Sequence, residues 1–264
     1  MATTCPVGFN VDELRAQVRA TYERVAREPH GKFHFHRGPA YAAGYLGYNR
    51  AELDTLPELA TARFAGVGNP LAIGPVRAGE TVLDHACGAG MDLLLAARRI
   101  GPGGRAIGVD MTPAMRACAA AAARAAGLDS IIDIRAGLYE DLPVDDASVD
   151  VVISNGVVNL APDKTRVLRE VARVLKPGGR LYLADVVVEH EFSLRVRNNP
   201  DLWAACIGGA LPEAELYEVS AAAGLTDARV TARFASFRDT SAEAKVSAEM
   251  HIRAVNFHAR KPLV

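Results

Sequence analysis

Hydrophobic residues in the central part of the chain occur alternately in short unbroken runs and in longer stretches with helical spacing. Thr81–Leu83, Ala106–Val109 and Val149–Ser154 are short apolar runs of the kind found in strands that are buried on both faces. Met91–Ile100 and Ala114–Ala126, which lie between them, have the spacing and composition of helices. This alternation of strand and helix predicts a mostly parallel sheet with helices on both of its faces.

The pattern continues towards the C-terminus without an internal repeat and without a linker that would separate an independent domain. We therefore expect an α/β fold with a sheet of seven strands. The remaining predicted elements, in chain order, are a helix over Ala51–Phe64, a strand over Ile131–Arg135, a helix with apolar residues from Val167 to Leu175 that is stopped by the sequence KPGG, a strand over Arg180–Val188, helices over Pro200–Ile207 and Glu213–Ala223, and an antiparallel pair of Ala228–Phe234 with Arg253–Ala259.

The N-terminal part of the chain follows a different pattern. Asn10 followed by Glu13 is typical of a capping box, and the apolar residues after them recur at helical spacing. The next stretch, Gly31–Asn49, is rich in glycine, aromatic residues and histidine, which is typical of a loop that carries functional side chains. We interpret residues 1–70 as a helical lid with a substrate loop, and residues 71–264 as the core.

Composition and charge narrow the class of protein. The chain has 264 residues, half of them hydrophobic, and a formal net charge of −1, which is typical of a globular protein with a sizeable core. This near-neutral charge gives no electrostatic reason to expect nucleic acid or a membrane surface as a partner, and no apolar run is long enough to span a bilayer. The chain begins without the features of a secretory signal, and Cys5, Cys87, Cys118 and Cys206 form no C-x-x-C pair. We therefore expect a cytoplasmic protein that acts on a small molecule, with a homodimer left open.

The turn after the first predicted strand carries the strongest chemical signal. Asp84 closes that strand, and a turn containing Ala86, Gly88 and Gly90 leads into a helix, while the second strand ends in Asp110. In doubly wound sheets nucleotides bind beyond such strand ends, with an acid on the ribose hydroxyls. The spacing D-x-A-x-G-x-G differs from the G-x-G-x-x-G of dinucleotide sites, which disfavours a nicotinamide oxidoreductase. An acid that opens the motif repels phosphate and suits a cationic amino-acid group.

This turn resembles motif I of class I S-adenosylmethionine (SAM) methyltransferases, with Ala86 where that family usually has its first glycine. The stretches GVDMTPAM, ISNGVVNLAPDK and CIGGAL are more specific, and they resemble the arsenite methyltransferase branch of the UbiE-like group. The resemblance extends over about residues 45–230. It implies a Rossmann-like class I methyltransferase fold, SAM as the cofactor, and methyl transfer to a small molecule.

The resemblance also implies how each part of the cofactor is bound. Asp84 and the glycine backbone after it would hold the methionine part, and Asp110 would hold the ribose. Adenine would lie against residues that follow the second and third strands, although Met111 and Leu138 fit ordinary core packing equally well, and Leu138 stands where the family often has an acid. The expected cofactor-binding residues are Asp84, Ala86, Gly88, Gly90, Asp110, Met111, Gly137, Leu138, Ser154 and Asn155, the last two on the sulfonium side.

The cysteines depart from the family pattern. Arsenite methyltransferases resemble one another in holding trivalent arsenic by three cysteine thiolates, because this soft ion prefers sulfur. Cys206 matches the last of these positions, but the middle position is Gly156, and the loop before the core has no cysteine. A three-thiolate site would need Cys5 or a second chain. The chain therefore resembles the arsenite methyltransferases in the part that binds the cofactor but differs from them in the part that binds the substrate.

Histidines in the predicted substrate loop offer another chemistry. If the segment is extended, His34 and His36 share one face, and two imidazoles on one face can hold a metal, relay a proton or bind an anion. A surface loop with hydrogen-bonded histidines is the alternative, and His85 and His190 are further candidates near the cleft. The candidate catalytic residues are therefore His34, His36, Asn155 and Cys206, and we predict no metal site.

The resulting hypothesis is a methyltransferase that acts on carbon, oxygen or nitrogen of an organic acceptor. Two alternatives stay open: arsenite methylation through Cys206 with external thiols, and a non-catalytic SAM- or metal-binding sensor. The presence of Asp84, Asp110 and Asn155 together favours an enzyme. The residues expected to wall an apolar acceptor pocket are Phe33, Phe35, Tyr41, Tyr45, Tyr48 and Trp203.

Overall fold

The structure, a computed structural model, describes residues 3–6, 8–199, 202–203, 206–235 and 252–263. The strands are β1 (Thr81–Asp84), β2 (Arg105–Asp110), β3 (Ile132–Ala136), β4 (Val149–Asn155), β5 (Leu175–Val188), β6 (Leu211–Pro212), β7 (Thr226–Phe234) and β8 (Arg253–Arg260). The helices are α1 (Val11–Arg27), α2 (Gly38–Leu46), α3 (Arg50–Leu53), α4 (Glu58–Thr61), α5 (Met91–Ile100), α6 (Pro113–Ala125), α7 (Lys164–Val174), α8 (Leu194–Arg197) and α9 (Glu213–Ala222), with 3-10 helices over Pro70–Ala72 and Val158–Leu160.

The strands of the described chain form one sheet of eight in the order β3-β2-β1-β4-β5-β8-β7, with β6 paired to β5. Strands β1 to β5 run parallel to one another, whereas β8 runs antiparallel to both β5 and β7. The mostly parallel sheet and the final antiparallel pair are therefore confirmed. The sheet has one strand more than the seven predicted, because Leu211 and Pro212, just before α9, pair with the end of β5.

Two predicted boundaries differ from the structure. The helix predicted over Ala51–Phe64 is interrupted between α3 and α4, where Pro57 has a φ of −58° and a ψ of 133°, outside the helical region. Proline lacks a backbone N–H and disfavours helical backbone in the residue before it, so it divides the segment. Strand β5 begins at Leu175, five residues before the predicted Arg180, and its pairing with β4 has an irregularity between Val149 and Val151. The helix predicted over Pro200–Ile207 lies partly outside the described residues.

A hydrophobic cluster packs against each face of the sheet. Leu83 and Val152 point to the face covered by α7 and α9, and Val82 and Ile153 point to the face covered by α5 and α6. Helices on both faces are thus confirmed. Tyr41 and other apolar residues of α2, α3 and α4 belong to the second cluster, so the N-terminal segment shares a hydrophobic core with the sheet. The division of the chain at residue 70 stays a prediction.

The parallel strands β1, β2 and β4 end at the same edge of the sheet. Their last residues are Asp84, Asp110 and Asn155, which brings three polar side chains to that edge. In parallel sheets this edge is where ligands bind, since the loops after the strands leave a crevice there. Within the described part of the chain, no helix has the length and apolar character needed to cross a membrane.

Candidate functional site

A cleft of about 850 Å³, open to solvent, lies at this edge of the sheet. The loops after β1, β2, β3 and β4 form its floor, and α1 covers it with Val18 and Tyr22. Of the residues predicted to bind the cofactor, the cleft brings together Asp84, Ala86, Gly88, Gly90, Asp110, Met111, Gly137, Leu138 and Asn155.

The turn after β1 is shaped by glycine backbone. Gly90 has a φ of 90° and directly precedes α5, in a left-handed conformation that disfavours residues with a Cβ atom. A Cβ atom there would also lie 3.3 Å from the side chain of Ala119 on α6. The turn therefore brings the N-terminus of α5, with its unpaired backbone N–H groups, to the wall of the cleft.

Asp110 at the end of β2 is bound to two backbone N–H groups. One carboxylate oxygen accepts a hydrogen bond from Gly88 at 2.9 Å, and the other accepts one from Thr112 at 2.7 Å. Burial raises the pKa of this carboxyl, and the two N–H groups act in the opposite direction. Each carboxylate oxygen can accept a further hydrogen bond, so the side chain can bind two hydroxyl groups without losing its position.

Two more carboxylates line the same cleft. Asp84 is 4% exposed, and its pKa lies well above the usual range because of burial, then Asp92, then Asp110. Asp92 lies in the first turn of α5, where one oxygen accepts a hydrogen bond from the hydroxyl of Tyr48 at 2.6 Å. Burial raises the pKa of Asp92 to about 6. Three acidic groups in one partly buried cleft favour a cationic ligand group.

Asn155 is held by several neighbours at once. Its Oδ1 accepts hydrogen bonds from the backbone N–H groups of Val67 at 2.8 Å and Gly68 at 3.2 Å. Its Nδ2 donates to the carbonyl of Gly68 at 3.0 Å and to the carboxylate of Asp92 at 2.9 Å. The side chain thus fixes the segment before the 3-10 helix and orients Asp92. Its predicted role towards the sulfonium stays a prediction.

Arg63 is the only arginine or lysine among the described residues that line the cleft. Its Nε donates to the carbonyl of Ala26 at 2.7 Å, and its Nη1 donates to the carbonyl of Leu59 at 3.1 Å. These bonds hold the guanidinium between α1 and α4, at the cleft wall. A guanidinium in this place can bind a carboxylate. Sequence reasoning missed both Arg63 and Asp92, since each occupies a predicted helix as an ordinary charged residue.

The structure places His34 and His36 outside the cleft lining, and their predicted catalytic role stays a prediction. The segment that carries them is not a strand, because Phe33 and Phe35 pack into a cluster with α1 and α6. The ring of His34 lies edge-on to Phe35 with centroids 4.8 Å apart, and the ring of His36 stacks on Tyr41 at 4.7 Å. The aromatic residues predicted to wall the acceptor pocket also lie elsewhere, and the cleft is lined instead by Tyr22, Phe64 and Tyr139.

Cys206 does not line the cleft either, and its predicted catalytic role stays a prediction. The residue is 8% exposed and belongs to a cluster with Val18 and Trp203 behind the cleft wall. Burial, with a smaller contribution from Asp185, raises the pKa of its thiol to about 12. The thiol is therefore neutral near pH 7, whereas binding of a soft ion requires a thiolate.

Ser154 is the one predicted cofactor-binding residue that the structure places outside the cleft lining. Its side chain is fully buried, and its hydroxyl lies 3.0 Å from Nε2 of His85. Consecutive residues of a strand point to opposite faces of the sheet. Ser154 and Asn155 therefore point to opposite faces of the sheet, and the predicted role of Ser154 towards the cofactor stays a prediction.

Comparison with known proteins agrees with this geometry. A methyltransferase domain family matches residues 77–224. The chain belongs to this family. It is also related to arsenite methyltransferases: it is 44% identical to that of Halobacterium salinarum over 165 residues, which are 62% of this chain and 42% of the relative. Identity to the arsenite methyltransferase of Aquipseudomonas alcaligenes is 38% over 181 residues, or 66% of this chain and 51% of the relative.

A solved structure is similar over most of the chain. An arsenic(III) S-adenosylmethionine methyltransferase from Chlamydomonas reinhardtii superposes with a TM-score of 0.69 at 34% identity, covering 81% of this chain and 72% of the other. The predicted Rossmann-like class I methyltransferase fold is thus confirmed. The chain spans about half the length of the curated relatives that it matches. Among its described residues, no group of three histidine, cysteine or acidic side chains could hold a metal ion.

Proposed function

We propose that this chain is a SAM-dependent methyltransferase that transfers the methyl group to a small organic acceptor. The observation that carries the proposal is the position of the Asp110 carboxylate. The backbone N–H groups of Gly88 and Thr112 hold it at the cleft, and its oxygens can accept further hydrogen bonds. This arrangement occurs in a chain of the methyltransferase domain family. A ribose with two neighbouring hydroxyl groups matches such a carboxylate.

The other cleft residues fit the remaining parts of SAM. Asp84 and Asp92 provide negative charge for the ammonium group and the sulfonium, and Arg63 provides positive charge for the carboxylate. Met111 and Leu138 provide apolar surface for the adenine ring. SAM, when bound, supplies an activated methyl group. The residues of the chain orient the two reactants and keep water out, since a displacement of this kind gains mainly from proximity.

The walls on the α1 side favour an organic acceptor. Val18, Tyr22, Tyr139 and Leu160 line this part of the cleft and offer mostly apolar surface. Such surface excludes water and binds rings or hydrocarbon groups. No cysteine of the described chain other than Cys87 lines the cleft, and Cys87 is a buried residue of the turn with a pKa raised by burial, then by Asp110.

Arsenite is the second candidate acceptor, because the relatives at 38% and 44% identity are arsenite methyltransferases. With Cys206 buried outside the cleft and Gly156 at the position of the middle cysteine, the protein offers no cluster of thiolates. External thiols would have to supply the sulfur ligands. We therefore expect arsenite methylation to be slow and dependent on added glutathione.

Transfer of radiolabelled methyl groups from SAM tests the proposal. The protein is incubated with arsenite plus glutathione and, in parallel, with a panel of phenols, quinones and thiols. We expect S-adenosylhomocysteine (SAH) to be released with an organic acceptor. The proposal of an organic acceptor would be overturned by rapid methylation of arsenite that is lost in Cys206→Ser, together with no methyl transfer to any compound of the organic panel. SAM binding without SAH release from any acceptor would support the sensor alternative instead.

The remaining features of the proposed protein rest on the sequence. The cytoplasmic location, the absence of nucleic acid as a partner and the homodimer stay predictions, as does the division into residues 1–70 and 71–264. The cleft itself lies between them, since Arg63 and Tyr22 come from the N-terminal segment and Asp84 and Asp110 from the core. We propose that the N-terminal segment covers the acceptor part of the cleft.

A further inference from the structure

His85 occupies a place in the cleft that the proposed cofactor contacts do not use. It follows Asp84 in the turn after β1, it is 1% exposed, and it lines the cleft. Its Nε2 lies 3.0 Å from the hydroxyl of Ser154, which is itself fully buried. Its Nδ1 is also buried, and it has no hydrogen-bond partner among the residues that the structure describes.

A buried nitrogen of this kind is an incomplete hydrogen-bonding site. Buried polar atoms in folded proteins are nearly always paired, and an exception calls for an explanation such as a ligand. The ring of His85 lies 6.4 Å from that of Tyr139, a residue of the cleft wall. Burial lowers the pKa of His85 to about 4, so the imidazole is neutral near pH 7. It therefore offers a hydrogen bond without a charge.

We propose that Nδ1 of His85 binds a hydroxyl group of a neutral organic acceptor. This inference rests on the proposed function, which it makes more specific. The hydroxyl of Ser154 can donate to Nε2 or accept from it, so Nδ1 can be either the protonated or the bare nitrogen. A hydroxyl group on the acceptor complements both forms, because it can also donate or accept.

The surroundings select against anionic acceptors. Asp84, Asp92 and Asp110 line the same cleft, so an anionic acceptor would be repelled. The neutral ring of His85 provides no compensating charge. Tyr139 and Val157 belong to one hydrophobic cluster and provide apolar wall in the same cleft. The acceptor class is therefore a hydrophobic molecule, such as an aromatic ring, that carries at least one hydroxyl.

Two substitutions separate the two nitrogens of the ring. In His85→Asn the amide group lies about as far from the backbone as Nδ1 of histidine, while in His85→Gln it lies about as far as Nε2. The probes are 1-naphthol and 1-methylnaphthalene, which differ in a hydroxyl or a methyl group on the same ring. Each is titrated by calorimetry into the wild-type protein and both variants, all saturated with SAH.

We expect the wild-type complex to bind 1-naphthol at least about tenfold more tightly than 1-methylnaphthalene, since a site built to bond a hydroxyl rejects analogues that lack it. His85→Asn should keep most of this preference, and His85→Gln should lose it. The affinity for SAH should be the same in all three proteins. Equal affinities for the two probes in the wild type, or no binding of 1-naphthol, would overturn the inference.

A measurement on the wild-type protein covers the case in which both variants fail to fold. With ¹⁵N-labelled histidine, the Nδ1 resonance of His85 should shift when 1-naphthol is added to the SAH complex. His258, which is also buried but lies outside the cleft with Nδ1 3.0 Å from the carbonyl of Asp227, is the internal control and should not move. An unmoved His85 resonance would contradict the inference. Failure to bind SAH at all would instead refute the proposed function.

Discussion

At the scale of single residues, the hydrogen bonds of Asp110 give the clearest prediction. We expect Asp110→Ala to weaken SAM binding at least about tenfold, because charge-assisted bonds to the ribose are lost. The free energy of unfolding should also fall by about 1–3 kcal/mol, since the N–H groups of Gly88 and Thr112 lose their acceptor. Calorimetric titration with SAM and denaturant unfolding measure the two effects.

The matched control is Asp133→Ala. Asp133 lies on β3, outside the cleft, and pairs with Arg105 and Arg135. This variant should bind SAM as the wild type does. If Asp110→Ala binds SAM with unchanged affinity, the carboxylate does not hold the ribose.

The raised pKa of Asp92 predicts a pH dependence of stability. In the unfolded chain this carboxyl titrates near 3.8, and in the folded protein near 6, so between these values the folded state binds more protons. Its contribution to stability is therefore complete below pH 3.8 and is lost as the pH rises through about 6. The loss amounts to at most about 1.4 kcal/mol per pH unit.

Comparison with Asp92→Asn isolates this contribution. His85, whose pKa is lowered to about 4, produces the opposite slope, because the unfolded state then binds more protons. The difference in unfolding free energy between wild type and Asp92→Asn should therefore change in favour of the variant as the pH rises from about 4 to about 7. A constant difference for Asp92→Asn would contradict the assigned pKa.

The site residues differ in how far the sequence could predict them. Asp84 and Asp110 follow directly from their positions at strand ends, because the carboxyl ends of parallel strands meet at one edge. Asp92 and Arg63 do not, since an acid in a first helical turn and an arginine in a helix are common features of solvated surfaces. Their place in the cleft depends on contacts with Tyr48 and α1, which are distant in sequence.

At the scale of elements, the turn after β4 explains why a cysteine would not fit there. Gly156 has a φ of 75°, and a Cβ atom on it would lie 3.3 Å from the side chain of Val67. We expect Gly156→Cys to lower the free energy of unfolding by about 1–2 kcal/mol, because a left-handed conformation strains residues that have a Cβ. Denaturant unfolding under reducing conditions measures the effect.

Gly44→Cys is the control for this substitution. Gly44 lies within α2, and a Cβ atom there would meet no atom within 4 Å. This variant should be at least as stable as the wild type, because glycine disfavours helix relative to other residues. Equal stability of Gly156→Cys and Gly44→Cys would show that the turn tolerates a side chain.

Elements with strong local signals were predicted well, and those that depend on pairing were not. The long helices α5, α6 and α7 and the buried strands follow from hydrophobic spacing alone. Strand β6 has only two residues, so no periodicity could indicate it. The segment with His34 and His36 alternates like a strand, but aromatic packing against α1 determines its conformation.

At the scale of the whole molecule, the described residues that line the cleft include three acids and one arginine, so the cleft has an excess of negative charge when these acids are ionised. We expect this charge to favour SAM, which carries a sulfonium, over SAH, which does not. The ratio of the two affinities should be larger at about pH 8 than at about pH 5, since Asp92 takes up a proton between these values. Calorimetric titration with both compounds at each pH measures the ratio, and a ratio independent of pH would contradict this expectation.

The acids of the cleft also bear on how quickly a catalytic cycle can begin again. Methyl transfer turns a cationic sulfur compound into an uncharged thioether, so the partner of these carboxylates disappears in the chemical step itself. If the chain carries out the proposed reaction, Asp84 and Asp92 should therefore bind the spent donor less tightly than the fresh one. At equal concentrations of the two compounds, we would then expect the fresh donor to replace the spent one, which would weaken inhibition by the by-product.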